Sequence, residues 1–113
     1  MSEKNKKKAY FIKKTIRTLK LSNAHVLDKA ITPQTLTPHK FDIITARALA
    51  SAPKIIELSE HLLSKNGKFL FMKGELKKIN EEVAQLDNNT YSYVIHKKKT
   101  KDTNRHILEI IQK

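Results

Sequence analysis

Apolar residues along this chain fall into two kinds of pattern, and the two alternate. Over residues 5–20, NKKKAYFIKKTIRTLK, Ala9, Ile12, Ile16 and Leu19 recur at spacings of three and four, with lysines on the other face. That spacing predicts an amphipathic helix. Ser22 and Asn23 break it, and AHVLD (24–28) reads as a short strand. ITPQTLTPHK (31–40) holds two prolines and three threonines without periodicity, and reads as a loop. FDIITARA (41–48) is an apolar strand. SAPKIIELSEHLLSKNG (51–67) reads as a helix, with Ser51 able to cap it and Pro53 in its first turn. Ile55, Ile56, Leu58, Leu62 and Leu63 form its apolar stripe, and Asn66 and Gly67 stop it. KFLFMKG (68–74) carries an unbroken apolar run, Phe69 to Met72, as expected of a strand covered on both faces. ELKKINEEVAQL (75–86) predicts a second charged helix. YSYVIHKKK (91–99) and RHILEIIQK (105–113) predict two closing strands.

Helices alternating with strands predict an α/β fold, with a mostly parallel sheet and helices on both faces. The last two strands have no helix between them, so they are expected to pair antiparallel. There is no internal repeat and no linker, which predicts a single domain over residues 1–113. In such sheets ligands bind beyond the carboxyl ends of the strands. Arg47 directly follows one strand, and Lys73 with Gly74 directly follows another.

Composition narrows the function classes. The 113 residues include 23 Lys plus Arg against 11 Asp plus Glu, a net charge of +12. Such an excess favours a polyanionic partner, because lysine and arginine release counterions when they neutralise phosphates. The basic clusters are Lys6, Lys7, Lys8, Lys13, Lys14, Arg17 and Lys20, and later Lys97, Lys98, Lys99 and Lys101. Each reads equally well as a solvated face or as a phosphate-facing one. The absence of cysteine excludes disulfides, thiolate metal sites and cysteine nucleophiles. The five histidines (25, 39, 61, 96 and 106) have no metal-ligand spacing, so no metal site is expected. No apolar run reaches the ~20 residues of a membrane helix. MSEKNKKKAY is not followed by an apolar signal region, so no membrane association and a cytoplasmic location are expected. Tyr91 and Tyr93 alternate with apolar positions and read as packing residues. Arg47, from its own surroundings, could also simply pair with Asp42 or Glu57.

FDIITARALA (41–50), FMKG (71–74) and NRHILEIIQK (104–113), in that order and spacing, resemble the bacterial small-subunit rRNA methyltransferases of the GidB (RsmG) family. EKNKKKAYFI (3–12) adds to the likeness, matching a segment where an acidic residue ends a strand and a basic pair, here Lys7 and Lys8, opens a helix. The resemblance covers essentially the whole chain. It implies a Rossmann-like class I methyltransferase fold with an antiparallel C-terminal strand. It also implies methyl transfer from S-adenosyl-L-methionine to a guanosine of 16S rRNA, giving 7-methylguanosine. By that resemblance Arg47 lies beside the cofactor, Glu3 holds its ribose hydroxyls, and Ala30 and Ile31 meet its adenine end. Ile31 stands where the family has an acidic residue. Lys73 and Gly74 match a KG motif on the substrate side, and Arg105 and His106 match the RH that opens the last strand.

The family's Gly-rich cofactor loop, D-x-G-x-G-x-G, has no counterpart among these residues: Gly67 and Gly74 follow later elements. The chain therefore resembles the C-terminal part of the enzyme. The expectation is an N-terminally truncated form, weak or inactive alone, whose partners are 16S rRNA or the small ribosomal subunit. A further chain could supply the missing half. A different class of reading is a small basic rRNA-binding module without catalysis. A third is a non-functional fragment that does not fold cooperatively.

Overall fold

The computed structural model describes residues 1–47, 50–97 and 105–113, and divides them between two compact units, Met1–Thr35 and Leu36–Lys113. Lys98, Lys99 and Lys101 of the second basic cluster lie outside the described residues.

The first unit holds helix α1 (Lys6–Thr18), which stops one residue before Leu19, the last apolar position of the pattern. Asn5 caps it, its side-chain oxygen accepting from the Lys8 N–H at 3.1 Å. Ala9 is buried and Ile12 and Ile16 are half-buried, whereas Leu19 lies past the helix end and is exposed. The helix closes with Leu21 N–H on Ile16 O and Lys20 N–H on Arg17 O. Such a closure needs left-handed backbone, and Lys20 supplies it at φ 55°. AHVLD does not form the short strand predicted for it. It makes a single parallel bridge, Leu27 to Ser2, with Leu27 N–H on Met1 O and Glu3 N–H on Leu27 O. One bridged pair is too short a ladder to count as a strand.

The second unit is a four-stranded sheet, order β1-β2-β4-β3: β1 (Phe41–Arg47), β2 (Leu63–Lys73), β3 (Tyr91–Lys97) and β4 (His106–Gln112). β1 and β2 are parallel, and β4 runs antiparallel between β2 and β3. Three strands thus point one way and the C-terminal strand the other. The last two strands pair antiparallel, as the missing helix between them implied.

Two helices, α2 (Ala52–Ser59) and α3 (Leu76–Val83), contribute to the core of this unit. Ala52, Ile55 and Ile56 of α2 and Ile79 and Val83 of α3 are buried with Phe69, Phe71, Leu108 and Ile110 of the sheet. The other face, Ile43, Met72, Val94, Ile107 and Ile111, is between 41% and 52% exposed. The apolar run of β2 is therefore closely covered on one face only. On the open face Glu109 ties three strands: Lys68 Nζ donates to it at 3.1 Å and His96 Nε2 at 3.3 Å. These two, lysine first, hold the Glu109 carboxyl below its ordinary pKa.

The helix predicted for 51–67 is shorter than its apolar stripe. α2 ends at Ser59, a 3-10 turn covers Glu60–Leu62, and β2 starts at Leu63. Ser59 Oγ donates to Ile55 O at 2.6 Å, and the Ser59 backbone leaves helical geometry at φ −130°. The burial pattern survives: Ile55, Ile56, Leu62 and Leu63 are all in the core, Leu58 half-buried. Residues 31–40 form no helix or strand, as expected.

Candidate functional site

In the second unit, the carboxyl ends of β1, β2 and β3 and the start of antiparallel β4 lie at one sheet edge. This edge carries Arg47, Lys73, Lys97 and Arg105, four cations, together with Gly74 and His106. Residue spacing alone located Arg47 and Lys73 there. Register separates them. Arg47 pairs with Met72, on the open face with Ile43 and Thr45, while Lys73 pairs with His106, on the core face with Phe71 and Leu108.

Arg47 is exposed, and neither partner proposed for it from sequence is taken: Asp42 accepts from Ser64 Oγ at 2.9 Å, and Glu57 lies 3.8 Å from Lys54. Its guanidinium fork is thus not engaged by Asp42 or Glu57. Arg105 is exposed one residue before β4.

The KG and RH motifs meet directly. His106 is 7% exposed, and its Nδ1 lies 2.7 Å from Gly74 O. A carbonyl only accepts, so Nδ1 carries the proton and the ring is fixed in orientation. Lys73 Nζ donates to Ala50 O at 2.9 Å and to Glu82 Oε1 at 3.0 Å. Glu82 is the residue that sequence reasoning missed: its Oε1 also accepts the Ala52 N–H at 2.9 Å, at the first turn of α2. Ser51 sits at the N-cap but makes no side-chain capping bond, so Glu82 of α3 does what Ser51 was expected to do. No local spacing signals this, because the two residues are 30 positions apart. A shallow groove of about 530 Å³ opens beside this network, lined by Lys73, Gly74, Lys78 and Glu82 among others.

The first unit brings another set together. Residues 1–3 run parallel to 25–29, with the Met1 amino group donating to His25 O and Ser2 Oγ to Lys29 O. Parallel pairing puts Glu3 and the Ala30–Ile31 pair at the same, carboxyl, end of these segments. Glu3 is half-buried and one of its oxygens accepts the Asn5 N–H at 3.3 Å. Ala30 is exposed and Ile31 half-buried. Lys7 and Lys8 are exposed in the first turn of α1. Lys13 pairs with Asp28 at 3.3 Å and, chiefly through that bond, holds the aspartate below its ordinary pKa.

Among the described residues no group of three or more His, Asp or Glu comes together to hold a metal, and no helix is long and apolar enough to cross a membrane.

The family described as rRNA small subunit methyltransferase G, GidB, matches residues 1–111. A ribosomal RNA small subunit methyltransferase G from Brachyspira hyodysenteriae is 33% identical over 112 residues, covering 97% of this chain and 53% of the relative. The chain spans about half the length of the first curated relatives it matches. Among solved structures, an rRNA methylase from Streptococcus thermophilus superposes with a TM-score of 0.68 at 10% identity, over 98% of this chain and 70% of that one. A Streptococcus mutans protein in complex with SAH gives 0.70 at 9%, over 99% and 74%. At these identities the likeness is one of fold: the α/β class I methyltransferase fold, with its antiparallel C-terminal strand.

Proposed function

The chain belongs to the GidB family, rRNA small subunit methyltransferase G, and from that premise we propose that it carries the C-terminal part of an S-adenosyl-L-methionine-dependent 16S rRNA methyltransferase forming 7-methylguanosine. The observation that carries this reading is the sheet edge where Arg47, Lys73, Gly74, Arg105 and His106 assemble. In α/β sheets that edge is where ligands bind.

By likeness to the family, the Glu3 carboxylate of the first unit is proposed for the ribose hydroxyls of the cofactor and Ala30 and Ile31 for its adenine end, Ile31 standing where the family has an acidic residue. In the second unit, Arg47 is proposed to lie beside the cofactor, its fork suited to a carboxylate. S-adenosyl-L-methionine, when bound, supplies an electrophilic methyl group on a sulfonium. Guanine N7 has a free lone pair at neutral pH, so the protein needs no general base. Its task is to hold the guanosine in line and exclude water. Gly74, Arg105, Lys7 and Lys8 are the residues proposed to face the RNA of the small subunit, in the cytoplasm.

The 113 residues contain no Gly-rich cofactor loop, so methyl transfer by them alone is proposed to be weak, and to rise with a chain that supplies this loop. Labelled methyl transfer to unmodified 16S rRNA tests the reading, with the modified position mapped. Label on guanine N7, increased by the loop-bearing chain, supports it. Label at another position, or none under either condition, refutes it.

A second reading is favoured by the charge of +12 and the exposed lysines of α1: an rRNA-binding module without catalysis. It predicts binding to 16S rRNA with no response to S-adenosyl-L-methionine.

A further inference from the structure

Lys73 stands in the KG motif, where phosphate contact is the obvious role for a lysine. Its surroundings argue otherwise. Its side chain is 13% exposed and that of Glu82 15%, and the two charges sit 3.0 Å apart. The pair adds no net charge at the sheet edge, so it adds little attraction for a polyanion. Two of the three ammonium protons are engaged, by Ala50 O and Glu82, and the ammonium lies 6.0 Å from the centre of the Phe71 ring. Glu82 reaches on to Ala52 N–H. The pair thus joins the end of β2, the last turn of α3 and both residues flanking Ser51 at the entry to α2.

We propose that Lys73 and Glu82 form a clamp that positions Ala50 and Ala52 at the entry of α2, beyond Arg47, and that Lys73 makes no phosphate contact. This rests on the rRNA methyltransferase reading for its choice of probe. The Ala50 carbonyl and the Ala52 N–H, at the start of α2, are held by one largely buried ion pair. The geometry of that start therefore depends on Glu82, a residue of α3. Removing either partner alone strands a largely buried charge, whereas replacing both with apolar side chains removes the penalty. The apolar pair cannot restore the bonds to Ala50 O and Ala52 N–H.

Lys73→Met, Glu82→Leu and the double variant are compared by thermal melting and by binding to 16S rRNA over a range of salt. Each single variant is expected to lower the melting temperature by about 10 °C or more. The double variant recovers at least half of that loss. RNA affinity falls three-fold or more in Lys73→Met, with the salt slope unchanged, and does not recover in the double variant although the melt does. A slope smaller by about 0.7–0.9 in Lys73→Met, the signature of one lost phosphate contact, overturns the proposal. So do additive melting shifts, or affinity that recovers together with the melt. Where a single variant does not fold, the double variant carries the test, and its failure to fold also overturns the clamp. If the unaltered chain does not bind 16S rRNA, the methyltransferase reading fails separately. The melts then decide the clamp: non-additive shifts support it and additive ones refute it.

Discussion

Gly67 shows how much one position can decide. It is buried in the first half of β2, where the pairing with β1 shifts register between Phe41 and Ile43. A Cβ there would lie 2.6 Å from Leu63 Cδ1 and 3.0 Å from Asp42 O. The side chain could shift, but the backbone carbonyl of β1 could not. Gly67→Ala is therefore expected to cost about 1–3 kcal/mol, as overpacking does, measurable by denaturant unfolding. From sequence the same glycine reads as a helix stop; its close approach to β1 is visible only once the strands pair. Tyr91 is the other residue with a measurable signature. Burial, and then the hydrogen bond its hydroxyl donates to Glu60, push its pKa up from 10.0 to about 12. The fold keeps this proton where the unfolded chain loses it. The stabilisation is complete below pH 10 and is lost as the pH climbs from 10 towards 12. Stability measured across that window is expected to fall less steeply in Tyr91→Phe than in the unaltered chain.

At the scale of elements, the helices were legible where local rules decide and misplaced where distant contacts do. The spacing of Ala9, Ile12 and Ile16 sufficed for α1, and the Asn5 cap marks its start. Its end is set by Lys20 in left-handed backbone, a conformation that favours glycine. Lys20→Gly is expected to raise stability by about 0.5–1 kcal/mol, the usual gain from easing a cap, as an increase in the melting temperature. α2 was read too long because Leu62 and Leu63 continue an apolar pattern that suits either a helix or a strand. The two separate at Ser59, whose backbone leaves helical geometry at φ −130° and ψ −2°. AHVLD is apolar enough for a strand, but its pairing is a single bridge to Ser2. Of the site, Arg47, Lys73, Gly74 and His106 were recognisable as strand-end residues. Glu82 was not, because its role depends on three elements meeting. Nor could spacing tell that Arg47 and Lys73 would occupy opposite faces, since that follows from the one-residue offset between Met72 and Lys73 in β2.

For the whole molecule, a net charge of +12 sets the terms of any encounter with RNA. Phosphate contacts release counterions, so affinity for 16S rRNA should fall linearly with the logarithm of salt concentration. Lys7→Ala and Lys8→Ala are each expected to reduce that slope by about 0.7–0.9 if one phosphate contact is lost, with the melting temperature unchanged because both side chains are exposed. Charge alone does not distinguish a methyltransferase from a basic RNA binder. What distinguishes them is the cofactor. A thermal melt with and without excess S-adenosyl-L-methionine tests this most directly. A ligand that binds only the folded state at a hundred times its dissociation constant adds about 2.7 kcal/mol. With a chain that supplies the Gly-rich loop present, the transition is expected to move upward by several degrees or more when the cofactor is added. A transition at an unchanged temperature under that condition would contradict the methyltransferase reading, and would leave an RNA-binding chain with the fold of a methyltransferase and no hold on its cofactor.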